Sequence, residues 1–402
     1  MKRHNLFILT LTQFLRGAHT SVYGVIWQPF VLSLGASMPT LGLIQSIGGM
    51  GGIVTTLVQP LGGWFADRIG RKPFIVLSSI AFLIGYTLLA LAGALNVWGL
   101  ILFGAIALGA SALANPARSS MTAESVQGER HGSAFSLMMV AALAPGIIAP
   151  TLGGWLADRF GYASVFPVLL ALEVIVLVLV ARFLRETRAV NGNAFHRGDA
   201  LRALARSFVP PRHLLGFYCA VAGDSFAWGM GWGLLNGMLT DTLHYSTEQL
   251  GIMASVMSLA WAAMQMPIGR YIDRRKLKAV IVFSEMLGPP LMLIWITQTR
   301  FEIFVASQIL FALTAATWVP VTSTYITRSV RAEERAEAFG RLNAFRGLIA
   351  FPASYIGGLL YQSGGMSAPL IANLIGSVIV TLILVVFVRE PENSGQRTGT
   401  VG

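Results

Sequence analysis

Five ionisable residues fall inside stretches that are otherwise apolar: Arg16, Glu173, Asp224, Glu285 and Arg346. Charge in such surroundings is costly, and it is kept mainly where it binds a substrate, carries a proton or pairs. Asp224 lies midway along its stretch, beside Tyr218, Ser225, Trp228, Trp232 and Asn236, which suits a carboxyl that holds a proton or an organic cation. Gln13, Arg16, Thr20, Tyr23 and Trp27 recur at helical spacing, so one helix face gathers them. Arg16 on that face suits an anion, since no acid is close to it in sequence; a salt bridge or a carbonyl clamp within its own half is the other reading. Two further stripes follow the same spacing: Ser111, Asn115, Ser119 and Thr122, then Gln308, Phe311, Ala315, Trp318, Thr322 and Tyr325. Together they describe an amphipathic site whose aromatic walls take lipophilic or cationic rings by burial and cation–π contact. Trp27 suits an interface anchor as well. Glu173 and Glu285 admit a protonated or paired structural role, and Arg346 admits snorkelling to the interface or gating.

Other chemistry lacks its residues. The chain has no phosphate-binding G-x-x-x-x-G-K-[ST] loop, no nucleophile elbow and no zinc-helix motif. Cys219 is the only cysteine, and the six histidines show no paired ligand spacing. An ATP-driven pump, an enzyme and a metal or cofactor site are therefore not expected.

The elements that must position these residues follow from composition. Of 402 residues, 54% are hydrophobic and 12% charged, with a mean hydropathy of +0.66. So few charges cannot cover a globule in water, and only a bilayer offers enough apolar solvent. Twelve stretches are long enough to span: 6–33, 40–64, 73–95, 97–118, 133–156 and 162–184, then 213–239, 248–270, 279–297, 301–325, 341–362 and 367–388. The expected class is an all-α polytopic membrane protein. The apolar run after Met1-Lys2-Arg3 reads as an uncleaved first helix. With both termini cytoplasmic, 25 of the 29 Lys and Arg residues fall on the cytoplasmic side, and Arg159 and Arg300 alone face outward. This asymmetry sets the expected orientation in a cell membrane. The net charge of +11 then reflects topology and contact with anionic lipid. Nucleic-acid binding is not expected, because the basic residues are scattered over separate loops.

The expected organisation is a six-helix bundle at 1–185, a linker at 186–212, a second six-helix bundle at 213–388 and a flexible tail at 389–402. In the linker, Asp199 can cap a short amphipathic helix with Leu201, Leu204, Ala205 and Phe208 on one side and Arg202 and Arg206 on the other. One segment recurs at the end of every third helix: GGWFADRIG at 62–70, GGWLADRFG at 153–161, IGRYIDRRK at 268–276 and GGLLYQSGG at 357–365. Pro116 with Pro320 echoes across the halves at an offset of 204 residues. The implied build is two halves of two inverted three-helix units, which gives a transporter two near-degenerate arrangements.

The run Gly63-Trp64-Phe65-Ala66-Asp67-Arg68-Ile69-Gly70-Arg71-Lys72 resembles the loop 2–3 signature of the major facilitator superfamily at every defined position. Gly269, Asp273 and Arg274 keep part of it in loop 8–9. The resemblance implies that Asp67 faces the N-terminus of helix 11 and pairs with an Arg at the end of helix 4, here Arg118. That contact would form in one access state and break in the other. The latch set so implied is Gly63, Asp67, Arg68, Gly70, Arg71, Arg118, Asp273 and Arg274. Gly146 to Gly154 is similar to the helix 5 motif of drug–proton antiporters, with Ala149 where that pattern has Gly.

In this family helices 1, 4, 7 and 10 surround the site, so the expected substrate residues are Gln13, Arg16, Tyr23, Trp27, Asn115, Trp228, Trp232, Asn236, Phe311 and Trp318, with Asp224 coupling protons. The expected function is proton-coupled efflux of lipophilic or cationic compounds by a monomer in contact with lipid. The alternative is transport of an organic acid or sugar through Arg16. A non-transporting receptor or lipid scramblase on the same scaffold is disfavoured by the intact latch run.

Overall fold

The computed structural model describes residues 2–49, 51–126, 131–187, 208–331 and 334–391. The side chains of residues 2, 3, 67, 98, 131–133, 135, 273 and 336 lie outside that description. The expected amphipathic helix beginning at Asp199 also lies outside it, apart from Phe208.

Helical spans succeed one another along the whole described chain, and no strand occurs among the described residues. In the first half, span 1 is Lys2–Ser33, span 2 is Met38–Gly48 with Ile53–Ile69, and span 3 is Lys72–Leu95. Span 4 is Trp98–Ala110 with Asn115–Glu124, span 5 is His131–Leu143 with Ala149–Phe160, and span 6 is Val165–Phe183. In the second half, span 7 is Leu215–Met230 with Leu235–Leu243, span 8 is Thr247–Asp273, and span 9 is Leu277–Met286 with Gly288–Thr297. Span 10 is Phe301–Ser329, span 11 is Arg335–Ala350 with Ala353–Gly364, and span 12 is Ser367–Phe387.

Among the described residues, nine helices are long and apolar enough to cross a bilayer. Spans 1, 7 and 11 are not among them. Each gathers polar residues on an inward face, and that inward polarity lowers its mean hydropathy. Spans 6 and 12 are the opposite case. Val174, Ile175 and Val178, and likewise Ile375, Ile379 and Leu382, stand exposed where lipid would cover them. Several helices run past the expected bounds, as span 4 does to Glu124 and span 11 from Arg335. Hydropathy registers the hydrocarbon core alone, whereas backbone hydrogen bonding carries a helix on into the interface.

Breaks fall where the sequence removes or loosens helical bonds. Span 2 opens at Gly49, Gly51 and Gly52, span 4 tightens to a 3-10 turn at Ser111–Ala114 before Pro116, and span 11 breaks at Phe351 and Pro352. The recurring segment ends alike in three of its four copies. Gly70, Gly161 and Gly365 hold φ of +112°, +78° and +64°, a region open chiefly to glycine. In the third copy Lys276 stands there instead, and the chain turns at φ −66°.

The halves also cap alike. The Glu186 carboxylate accepts from Lys72 N at 2.9 Å, and Glu390 accepts from Leu277 N and Lys278 N at 2.7 and 2.9 Å. Glu186 and Glu390 are 204 residues apart, the separation that links Pro116 with Pro320.

The apolar core is unequal between the two faces. On the face of the 34–37, 96–97, 161–164 and 244–246 turns, one cluster draws on both halves, with Trp27, Phe30, Leu41 and Ile44 beside Leu234, Met238, Leu250 and Trp295. On the face that carries the basic turns the core divides. Ile8, Leu9, Ile75 and Met121 pack within the first half, and Phe217, Ile281, Tyr325 and Leu384 within the second. A cavity fills the gap between these two clusters.

Candidate functional site

The cavity has a volume of about 1390 Å³ and widens toward the basic face, where Gln59, Gly63, Ser120, Gly340 and Asn343 line it. A pocket that encloses a drug-sized molecule measures about 300–1,000 Å³, so the space admits one with water to spare. Its walls come from spans 1, 2, 4, 7 and 11, and span 10 contributes Trp318. Spans 2 and 11 thus hold more of the wall than the expected span 10. Their central breaks bend both helices around the opening.

The narrow end is sealed by hydrogen bonds between the halves. Gln28 and Gln45 both donate through Nε2 to the Gly233 carbonyl at 2.7 Å, and Gln28 Oε1 accepts from Gly237 N at 2.7 Å. Asn236 donates to the Gly24 carbonyl at 3.3 Å. Gly233 belongs to the short 3-10 turn Trp232–Leu234, which interrupts span 7 and frees its carbonyl for these donors.

Span 5 meets span 8 along the same seam. Thr151 and Ser255 hydroxyls lie 2.8 Å apart, and a Cβ on Gly154 would stand 2.3 Å from the Thr247 carbonyl oxygen. The segment that resembles the antiporter motif is therefore an inter-half contact surface. Beyond it the second copy of the recurring segment supplies Asp158. Its Oδ1 accepts from Thr247 N at 3.0 Å and its Oδ2 from Glu248 N at 2.7 Å. Ser246 caps Gln249 N in the same turn, so the first three amides of span 8 are all satisfied. Sequence reasoning did not single out Asp158, although it occupies the place of Asp67 in the first copy, which was the available signal.

The expected substrate residues divide. Tyr23, Trp27, Asn115, Trp228, Trp232, Asn236 and Trp318 line the cavity, and so do Asp224 and Arg346. Phe311 stands behind this wall, stacked on Trp228 with centroids 5.4 Å apart and tilted against Trp232 at 5.3 Å. Gln13 does not reach the cavity. Arg16 does not either, and the sequence expectation that it has no nearby acid is corrected. Its Nη2 is 3.0 Å from Glu173 Oε1 on span 6, with Ser78 and Ser79 as further acceptors at 3.3 and 2.6 Å. Glu173 Oε2 accepts from His19 Nε2 at 2.7 Å, and His19 Nδ1 lies 2.8 Å from the Tyr86 hydroxyl. All six residues of this cluster are buried. The Arg16 guanidinium is already met by a carboxylate, so it is not a free positive group for an anion. His19 stands one turn from Arg16 on the same side of span 1, and only packing of spans 1, 3 and 6 brings it to Glu173.

The second half holds a different cluster. Asp224 on span 7 lies beside Glu285 on span 9 and within electrostatic range of Arg346 on span 11. Glu285 is 2% exposed, and its Oε1 has no hydrogen-bond partner among the described residues. Asp224 is one helical turn from Trp228, so a carboxylate adjoins the stacked aromatic wall.

Of the implied latch set, the Asp67 and Asp273 side chains lie outside the described residues. Gly63 lines the cavity, and among the described residues a Cβ there would meet only Pro116, at 3.2 Å. Arg68 stacks on Trp64 of its own helix, 3.7 Å from the ring centre, and Arg71 pairs with Glu124. Arg118 donates to Ser78 at 2.8 Å and so joins the Arg16 network. Arg274 is exposed at the end of span 8, and Gly70 makes the turn described above.

Comparison with known proteins agrees with this architecture. The chain is 25% identical over 378 residues to the multidrug resistance protein MdtG of Serratia proteamaculans, covering 91% of this chain and 89% of that one. It is 28% identical over 185 residues to the multi-drug resistance efflux pump PmrA of Streptococcus pneumoniae, covering 46% of each. Among solved structures, a D-xylose-proton symporter superposes with a TM-score of 0.74 at 15% identity, over 97% of this chain and 99% of that one. The human organic anion transporter MFSD10 superposes with a TM-score of 0.67 at 18% identity, over 95% and 99%. The sequence profile of the Major Facilitator Superfamily matches residues 9–224 and 217–401, and the chain belongs to that family of membrane-embedded secondary transporters.

Proposed function

We propose that this transporter exports lipophilic organic cations in exchange for protons, working as a monomer through the central cavity. The basic face is cytoplasmic in this reading, which follows the positive-inside asymmetry, and the structure is the conformer that loads substrate from the cytoplasm. One observation carries the substrate class: Asp224 stands on the cavity wall one turn from Trp228, whose ring stacks on Phe311. A carboxylate beside a broad aromatic surface attracts a delocalised cation by charge and by burial together, while an anion finds no unpaired guanidinium on span 1. The relatives named for multidrug resistance and efflux point the same way.

The seam bonds of Gln28, Gln45 and Asp158 would break, and contacts at Gly63 and Asp67 form, as the cavity turns to the other face. Residues 1–185 and 213–388 would move as the two rocking bundles. The test is transport in reconstituted vesicles under an imposed pH gradient. Tetraphenylphosphonium should accumulate against its gradient on the acidic side, and Asp224→Asn should reduce this at least tenfold. Uptake that is indifferent to the pH gradient, or carboxylates transported in place of cations, would overturn the reading.

A further inference from the structure

Resting on that export reading, the structure assigns the exchange to a three-residue charge balance: Asp224 and Glu285 together hold one proton against Arg346, and an incoming organic cation takes that proton's place. Two carboxylates and one guanidinium sum to a single negative charge. Uncompensated charge at membrane depth is expensive, so the cluster is retained in states whose sum is zero. One proton on the carboxyl pair gives zero. One bound monovalent cation with both carboxyls ionised gives zero as well. Proton and substrate therefore exclude each other by charge rather than by overlap, and the displaced proton leaves through the cavity water that reaches Asp224.

The placement of the three residues fits those roles. Asp224 and Arg346 line the cavity, whereas Glu285 sits behind Asp224 with Oε1 unbonded. The unbonded oxygen is a vacant acceptor for a shared proton. Among the described residues packed beside the pair, no other charge competes for it. Span 12, which packs against span 7, carries no ionisable residue from Ser367 to Phe387. On span 11, Glu337 and Arg341 pair with each other nearer the basic face. Tyr218 on span 7 is spent on the Ala338 carbonyl at 2.8 Å. Ser377, which adjoins Glu285, carries no charge.

The first-half cluster is balanced differently. Arg16 and Glu173 already cancel one another, and Glu173 also accepts from His19, so the pair requires no proton or cation for zero charge. Exchange is thereby confined to one half of the molecule.

The test measures tetraphenylphosphonium binding to the full chain in detergent together with proton release into a weakly buffered solution. Wild type should release about one proton per cation bound. Glu285→Gln leaves Asp224 and Arg346 already balanced, so release should vanish and cation affinity should fall at least tenfold. Glu285→Gln combined with Arg346→Gln restores one negative charge, and both release and affinity should return. A purely structural role for Glu285 would not be rescued by removing a second charge. Release near zero or near two protons in wild type overturns the charge balance without any variant. Cation exchange at one proton in Glu285→Gln overturns it while leaving the export reading intact. Wild-type protein that binds no organic cation overturns both.

Discussion

The two faces of the molecule carry the same sequence segment in different states. On the sealed face, the second copy presses Gly154 against the Thr247 carbonyl and sets Asp158 on the first amides of span 8. On the basic face, the first copy leaves Gly63 open to the cavity, against Pro116 of its own half. The apolar core divides accordingly, shared by both halves at one face and separate at the other. Between the halves, this segment is thus a site of close backbone approach at the shut face, at Gly154, and not at the open one, at Gly63. The exposed helix terminus and the few hydrogen bonds that close the seam are modest terms of about 1 kcal/mol each.

The sharpest way to break this contrast is steric. Gly154→Val places a side chain inside the Thr247 carbonyl contact, so the sealed face cannot close. Gly63→Val meets only the edge of Pro116 here, so it should tolerate this conformer and obstruct the opposite one. Both variants should lose most transport, at least tenfold. Distances between spin labels on the two faces should move in opposite directions, and movement in one direction for both would end the comparison.

Next in size is Glu173→Gln. It leaves the Arg16 guanidinium buried against a neutral partner, at a cost of about 3–5 kcal/mol. Because the cluster lies within one half, Tm should fall while the label distances stay unchanged. A shift in the distances would show that the cluster senses the access state.

Asp158→Asn removes charge from an exposed helix terminus, a contribution of about 1 kcal/mol and about fivefold in the population ratio. The sealed face should open more often by that factor. Asp67→Asn should shift the ratio the other way and suppress most transport while leaving insertion intact. Smallest is Gln45→Ala, since Gln28 donates to the same Gly233 carbonyl. A loss of about 0.5 kcal/mol, roughly twofold in the ratio, is expected.

Much of the architecture is legible in the chain because the bilayer imposes it. Spans must be apolar and about 20 residues long, and repeats must recur in register with them, so local composition suffices. Asp224 and the Trp228 and Trp232 stripe are legible for the same reason: polarity inside a span points inward. Pairing is not legible. Arg16 has no acid within its own helix, and Glu173 comes to it from 157 residues away through the packing of spans 1 and 6. Arg118 likewise turns to Ser78 rather than standing free at its helix end. Span 10 carries as clear a stripe as span 4, yet most of it packs behind the wall, because the bends in spans 2 and 11 bring those helices to the cavity instead.

The sequence by itself determined the membrane class, the twelvefold succession of spans and the presence of a charged aromatic interior, since each follows from what lipid tolerates at a given depth. Only the tertiary structure decided which charges cancel one another, which face is shut and which residues meet the cavity. Those outcomes depend on distances between helices far apart in the chain, and a helix face that is polar in sequence can turn equally well to water, to a partner helix or to a buried ion.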